Sequence, residues 1–243
     1  MFGTRWFFLF LFLSFFHSAW AFKLTPMTSV FRPGGPEATQ TFSIENEGAE
    51  KIAVQISMAQ RKMDLHGNET HPEADDDFVV YPSQVILQPK SRRSVRITWV
   101  SKKAVMIELP YRIIAEQLAI EGLKPKKTRG AAIDLLLKYE GSVYIRPNNV
   151  KPEVIVEKVE YKQKKGKEYL LIDLWNRGTA HQLLNDPVLK VSSDKSNIEL
   201  KVNELTVLNG QNVLAKSKRR FLIPWPKDLK KIKLKAEIKV KSS

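Results

Sequence analysis

Short segments of alternating apolar and polar residues recur along the sequence and constrain the fold more than any other feature. Residues 39–45 (TQTFSIE), 52–58 (IAVQISM) and 94–100 (SVRITWV) place apolar side chains at every second position. Because the side chains of a strand alternate between two faces, each segment is expected to bury one face of a sheet. Long runs at the helical spacing of 3.6 residues do not occur. The sequence therefore predicts an all-β fold.

The length of the chain and a proline-bounded linker predict two domains. Residues 147–152 (PNNVKP) separate two series of strand-like segments in a chain of 243 residues. We therefore expect one domain over residues 22–147 and a second over residues 148–243. The chain has no cysteine, so burial rather than disulfides must stabilise both domains, and thiol chemistry is excluded.

The first 21 residues have the pattern of a secretory signal peptide. Arg5 supplies a positive charge, residues 6–16 are almost wholly apolar, and residues 19–21 (AWA) form a small-x-small cleavage pattern. A retained membrane anchor is the alternative, but the apolar run is shorter than the roughly 20 residues that a spanning helix needs. We expect an exported chain that begins at Phe22 and does not insert into the membrane.

Positive charge is concentrated in the second half of the chain. The net charge is +14, and residues 148–243 carry 21 Lys and Arg against 11 Asp and Glu. Lys231, Lys233 and Lys235 alternate with apolar residues, as on the solvated face of a sheet. Weak attraction to anionic lipids is an alternative reading. No nucleic-acid-binding motif is present, so no nucleic-acid partner is predicted.

Candidate catalytic and metal-binding residues do not form a recognisable site. An acidic stretch over residues 64–77 contains His66 and His71, but their spacing matches no known metal site. We interpret this stretch as a solvated loop and the lone His181 as a surface residue. The sequence contains no nucleophile elbow and no glycine-rich phosphate loop. We therefore predict neither enzymatic activity nor a metal or cofactor.

One apolar row has two possible roles. Within residues 130–147 (GAAIDLLLKYEGSVYIRP), Ile133, Leu135 and Leu137 would share one face of a strand. Periodicity alone favours a strand in the core of its own domain. The alternative is a strand that lends this apolar row to another polypeptide.

Short motifs follow one another in a fixed order through the first half of the chain. They are P-x-x-S-V-F at residues 26–31, P-G-G at 33–35, S-I-E-N-E-G at 43–48, F-V-V-Y-P at 78–82, L-x-P at 87–89, S-V-R-I at 94–97, L-P-Y-R at 109–112 and Y-I-R-P at 144–147. Together they resemble the periplasmic chaperones of the chaperone-usher pilus pathway. The segment 139–147 and the run P-Y-R-I-I-A-E at residues 110–116 are more similar to the archaic and spore-coat-protein-U-type branch.

This resemblance implies a structure and a function. The implied fold is two immunoglobulin-like β-sandwich domains set at an angle, and the implied location is the periplasm. The implied partners are secreted pilus or coat subunits, which lack one strand, and an outer-membrane usher that receives them. By position, Ile133, Leu135 and Leu137 match the residues that such chaperones insert into the subunit groove, which is donor-strand complementation.

The chain departs from the family where the subunit's terminal carboxylate is anchored. Better-known members use an arginine and a lysine there, and the matching positions in this sequence are Thr28 and Ser142. A hydroxyl donates one hydrogen bond but cannot form the bidentate, charge-assisted pair of an arginine. Lys138, Arg112 and Arg32 are the candidate alternative anchors.

Arg146 matches a family arginine at the domain interface, which implies a structural role. The missing cations also favour a second hypothesis, an exported structural or adhesive β-sandwich protein without chaperone activity. An exposed apolar strand promotes aggregation, so a self-capping dimer is expected when no subunit is bound.

Overall fold

The regular secondary structure of the protein is almost entirely β-strand. A computed structural model describes residues 22–119, 136–194 and 196–241. Strands account for most of these residues, and two short 3₁₀ turns occur at Pro36–Ala38 and Asp75–Asp77. The predicted all-β fold is therefore confirmed. The predicted signal peptide and the residues Ile133 and Leu135 lie outside the described residues.

The first domain contains eleven strands in the described part of the chain. They are β1 (Phe22–Thr25), β2 (Thr28–Phe31), β3 (Thr39–Asn46), β4 (Ile52–Gln60), β5 (Lys62–Met63), β6 (Glu69–Thr70), β7 (Phe78–Tyr81), β8 (Gln84–Leu87), β9 (Arg92–Trp99), β10 (Leu109–Leu118) and β11 (Lys138–Ile145). One sheet has the order β1-β3-β9-β7 and the other β2-β11-β10-β4-β8, while β5 and β6 form a separate hairpin. The chain changes sheets at Pro26, between β1 and β2, as the proline in this segment predicts.

The two main sheets of the first domain enclose a core of aliphatic and aromatic side chains. Phe42 and Ile44 from β3 face Val143 and Ile145 from β11, and all four are fully buried. These residues occupy alternate positions in their strands. The alternation seen in the sequence therefore marks the buried face of each strand.

The second domain has its own core and eight strands in the described residues. They are β12 (Val154–Lys164), β13 (Lys167–Asn176), β14 (Gln182–Leu183), β15 (Val188–Ser193), β16 (Ser196–Leu200), β17 (Asn212–Val213), β18 (Lys218–Pro224) and β19 (Lys235–Lys239). Two three-stranded sheets, β12-β13-β18 and β16-β15-β19, flank this core, and β14 pairs with β17. The apolar residues within 198–208 predict a strand over this range, but β16 ends at Leu200. Turns follow it, and their Leu205 and Leu208 fill the core.

The linker between β11 and β12 is hydrogen-bonded to the second domain. The Lys151 carbonyl accepts hydrogen bonds from the N–H groups of Thr179 (2.8 Å) and Ala180 (3.2 Å), and the Thr179 carbonyl accepts one from Glu108 of the first domain (2.9 Å). A Cβ atom added at Gly178 would lie 2.4 Å from the Lys151 carbonyl oxygen. The glycine therefore permits the close approach that fixes the linker.

An Asn-x-Gly turn follows a strand in each domain. The Asn46 and Asn176 side chains are buried, and the Oδ1 of each accepts a hydrogen bond from the glycine two residues later, at 2.9 Å from Gly48 and 3.0 Å from Gly178. Asn side chains commonly stabilise turns in this way. The same three-residue pattern thus builds the same local structure twice.

Replacement of Asn176 by alanine is expected to lower the free energy of unfolding by about 2–4 kcal/mol. Its Nδ2 donates to the buried carbonyls of Ala180 (2.8 Å) and Val213 (3.0 Å), which would lose their partner. Urea denaturation measures the change. Asn209→Ala is the matched control because Asn209 is exposed and accepts one bond, from the N–H of Asp186 (3.1 Å). An equal decrease in the free energy of unfolding in the two variants would contradict the stabilising role of the Asn176 side chain.

Candidate functional site

Among the described residues, half of strand β11 has an edge with no pairing strand. On one side, β11 pairs with β10 along its whole length, from Lys138 to Ile145. On the other side, only the segment from Ser142 to Ile145 pairs with β2, in a parallel ladder. Residues 138–141 have no strand partner on that side in the part of the chain that the structure describes. An unpaired edge presents free N–H and C=O groups to which another strand can add.

The residues next to this edge keep the alternation that the sequence predicts. Leu137 and Tyr139 are partly buried against the core of the first domain, whereas Leu136 is 51% exposed. Leu137 therefore shares a face with the buried Val143 and Ile145. Ile133 and Leu135, the other two predicted donor residues, lie outside the described residues.

Thr28, Ser142 and Arg112 lie side by side in neighbouring strands. Thr28 on β2 is opposite Ser142 on β11, and Ser142 is opposite Arg112 on β10. Arg112 Nη1 donates a hydrogen bond of 2.8 Å to Ser142 Oγ. A cation from the adjacent strand therefore reaches the position where the family resemblance implies a lysine.

The other two candidate anchors are not in this row. Lys138 pairs with Glu140, at 3.0 Å between Nζ and Oε1, and its side chain is 45% exposed. Arg32 contacts Glu37 (3.3 Å) and donates to the carbonyl of Arg146 (3.2 Å). Of the three candidates, only Arg112 has both Ser142 and a second arginine close by.

A carboxylate bridges two arginines beside this row. Glu69 Oε1 accepts hydrogen bonds from Arg61 Nη2 (2.7 Å) and Nε (3.0 Å), and Glu69 Oε2 accepts from Arg112 Nη2 (2.8 Å) and Nε (3.0 Å). The pairing of β4 with β10 brings the arginines together because Arg61 directly follows β4. Two positive charges thus surround one negative charge, so the group keeps a net positive charge.

Glu69 belongs to the acidic stretch over residues 64–77, for which the sequence predicts a solvated loop. That interpretation is wrong for this residue because the β5-β6 hairpin brings its carboxylate against the two arginines. Burial alone would raise the pKa of Glu69, but the hydrogen bonds from Arg61, His71 and Arg112 outweigh it and lower the pKa to about 2.

The second domain contributes a third arginine, which lies close to Arg61 and Glu69. Arg219 on β18 is 5% exposed, and its Nη1 donates to the Asn212 carbonyl (2.8 Å), while its Nε has no hydrogen-bond partner among the described residues. The guanidinium lies against the hairpin, where a Cβ at Gly67 would approach Nη2 to 2.3 Å. Burial, followed by the charge of Arg61, lowers the pKa of Arg219. A cavity of about 250 Å³ between the domains is lined by Thr28, Arg61, Gly67, Glu69, Ser142, Asn212 and Arg219. We call this cavity the cleft.

A second polar cluster closes the base of the cleft. The buried Glu108 carboxylate accepts hydrogen bonds of 2.5 Å from Arg146 Nε and 2.5 Å from His181 Nδ1. The His181 ring stacks on Tyr144, with 3.9 Å between the ring centroids. Arg146 thus lies between the domains. His181 is not the surface residue that the sequence suggested, because this stacking and the Glu108 bond bury it.

Two negative observations apply to the part of the chain that the structure describes. In residues 22–119, 136–194 and 196–241, no cluster of His, Asp or Glu side chains is arranged to hold a metal ion. Over the same ranges, no helix has the length and apolar character needed to cross a membrane.

Comparison with known proteins identifies the family. Residues 25–151, more than half of the chain, match the pili and flagellar-assembly chaperones, PapD N-terminal domain. The chain belongs to this family. The resemblance carried by the sequence motifs is thereby confirmed, and the alternative of a structural or adhesive module without chaperone activity is not supported. No curated protein matches the sequence.

Solved structures of similar fold include chaperones bound to pilus subunits. The CsuC–CsuE chaperone–tip subunit complex from the archaic Csu pili of Acinetobacter baumannii gives a TM-score of 0.59 at 16% identity, covering 90% of this chain and 97% of that chain. The class 5 fimbriae chaperone CfaA gives 0.56 at 15% identity, with 91% and 100% covered. The complex of the SafA pilin with the SafB chaperone from Salmonella enterica gives 0.52 at 16% identity, with 84% of each chain covered. At these identities, the likeness shows a shared fold of two β-sandwich domains.

The low pKa of Glu69 predicts an acid-sensitive contribution to stability. A carboxylate with a lowered pKa in the folded state stabilises the protein above its ordinary pKa of 4.5 and loses this contribution as the pH falls towards 2. Glu69→Gln should therefore be less stable than the wild type at pH 7, and the difference should shrink between pH 4.5 and pH 2. Urea denaturation across this range measures it. A difference that does not depend on pH would contradict the role of the charge.

Proposed function

We propose that this assembly chaperone binds secreted pilus or coat subunits in the periplasm by adding a strand of its own to each subunit. The observation that carries the proposal is the unpaired edge of β11 over residues 138–141, next to the arginine-lined cleft. Backbone hydrogen bonds along this edge would supply affinity that does not depend on sequence. The subunit then passes to an outer-membrane usher, as the family resemblance implies.

The apolar row Ile133, Leu135 and Leu137 provides the side-chain part of the interaction. Each aliphatic side chain that enters a subunit groove contributes on the order of 1.5–3 kcal/mol. Leu137 shares the inward face of the strand with Val143, so a regular continuation of β11 would present Leu135 and Ile133 on the same face. Without a subunit, the open edges of two copies could pair, and we propose such a self-capping dimer.

We also propose that Arg112, with Arg61, anchors the carboxylate of the subunit's last residue. The two hydroxyls of Thr28 and Ser142 lie beside this pair, and Arg112 Nη1 has a second N–H besides the one donated to Ser142. The net positive charge left by Glu69 favours an incoming carboxylate. Better-known members have cations at the positions that correspond to Thr28 and Ser142. In this chain, the neighbouring Arg112 takes over their role.

The donor-strand proposal predicts opposite outcomes for two adjacent leucines. Leu135→Asp should abolish co-purification with a secreted subunit expressed together with the protein, because it places a charge in the subunit's apolar groove. Leu136→Asp is the matched control. The Leu136 side chain is half-exposed and lies on the opposite face, so capture should persist. Loss of capture in both variants, or in neither, would overturn the assignment of the apolar row.

The anchor proposal predicts that two changes are equivalent. Arg112→Gln and a short extension that blocks the subunit's terminal carboxylate should each weaken binding about tenfold to a hundredfold. The variant Arg112→Gln should bind the blocked subunit no more weakly than either change alone allows, because both changes remove the same interaction. Titration of purified components measures the affinities. Arg32→Gln is the control and should bind normally, and additive effects of the two changes would exclude Arg112 as the anchor.

A further inference from the structure

Two turns form a basic surface at the end of the second domain, and we call residues 161–168 and 225–234 the distal pole. The first range is the β12-β13 hairpin, and the second is the segment around the turns after β18. Strand β13 runs from Lys167 at this pole to Asn176 beside the linker. Ten residues of strand span about 30 Å, so the pole lies at the far end of the domain from the cleft.

Aromatic contacts hold the two parts of the distal pole together. The rings of Tyr161 and Trp225 pack edge to face, with 5.2 Å between their centroids. Lys231 Nζ lies 4.2 Å from the Tyr161 ring centroid, and the backbone N–H of Trp225 donates to the Glu168 carbonyl at 3.0 Å. The pole is therefore a defined surface rather than two independent loops.

The charge of the distal pole is strongly unbalanced. It contains eight lysines, at positions 162, 164, 165, 167, 227, 230, 231 and 233, and two acidic residues, Glu168 and Asp228. Lys231 pairs with Glu168, and Lys233 pairs with Asp194 at 3.0 Å. Lys227 and Lys230 are exposed and form no ion pair within the described residues. The surface favours an anionic partner.

An apolar side chain projects from the centre of these lysines. Ile232 is 56% exposed, between Lys231 and Lys233, and the partly buried Trp225 lies in the same groove. An acidic protein surface or a free phosphate would pair with the lysines but would not bury the exposed Ile232 side chain in an apolar environment. The interface of an anionic bilayer satisfies both, because phosphates lie directly above the acyl chains. Tryptophan and tyrosine are also enriched at such interfaces.

We propose that the distal pole binds the surface of an anionic phospholipid membrane, with its lysines at the phosphates and Ile232 in the interface. The edge of β11 belongs to the first domain, and the cleft lies at the opposite end of the second domain. Contact through this pole therefore leaves both free for a subunit. The inference does not depend on strand donation, because no residue of the pole takes part in it.

Co-sedimentation of the purified protein with vesicles tests the proposal. The protein should sediment with vesicles of equal parts phosphatidylglycerol and phosphatidylcholine, but not with pure phosphatidylcholine, and added salt should weaken binding. Lys227→Glu combined with Lys230→Glu should lower the partition coefficient at least about tenfold. Ile232→Ser should lower it about threefold or more without a change of charge.

The matched control is Lys51→Glu combined with Lys102→Glu in the first domain. These exposed lysines also form no ion pair in the described residues, and the change in net charge is the same, so vesicle binding should stay close to that of the wild type. An equal loss in this control would overturn the proposal, because binding would follow net charge and not the pole. Absence of sedimentation with the anionic vesicles would also overturn it. Urea denaturation of each variant verifies that the fold is retained.

Discussion

The buried side chain of Tyr144 joins the two domains, and the rest of the cleft depends on its position. Its hydroxyl accepts hydrogen bonds from Arg61 of the first domain (3.0 Å) and from Asn212 of the second (2.8 Å), and its ring stacks on His181. Its neighbour Val143 faces the core of the first domain. The two-residue period of β11 therefore fixes the domain core and the domain interface together.

Much of the fold could be predicted because it follows from local patterns. Strands β3, β4 and β9 begin and end within two residues of the alternating segments, and the sheet change occurs at Pro26, where a proline cannot donate to a ladder. The prediction failed at residues 201–208. There, apolar residues occur in turns, and alternation does not distinguish a strand from a buried turn.

The candidate site could be predicted only in part, because its residues are distant in the sequence. Arg112 is one of three cations that the sequence offers as alternative anchors, and only the pairing of β10 with β11 places it beside Ser142. Glu69, Arg61 and Arg219 could not, since strand order and the contact of the β5-β6 hairpin with β18 bring them together. His181 was missed for the same reason. A single histidine has no spacing that reveals the glutamate or tyrosine it will meet.

The hydrogen bonds of the linker to the second domain have a consequence for recognition. Because Lys151 and Thr179 hold the linker in place, the distance between the edge of β11 and Arg219 is set when the protein folds. A polypeptide that adds to the edge then finds the arginines at a high effective concentration. The conformational entropy of placing the edge of β11 and the arginines at a fixed distance has already been lost in folding. It therefore does not oppose binding at the arginines once the edge is occupied.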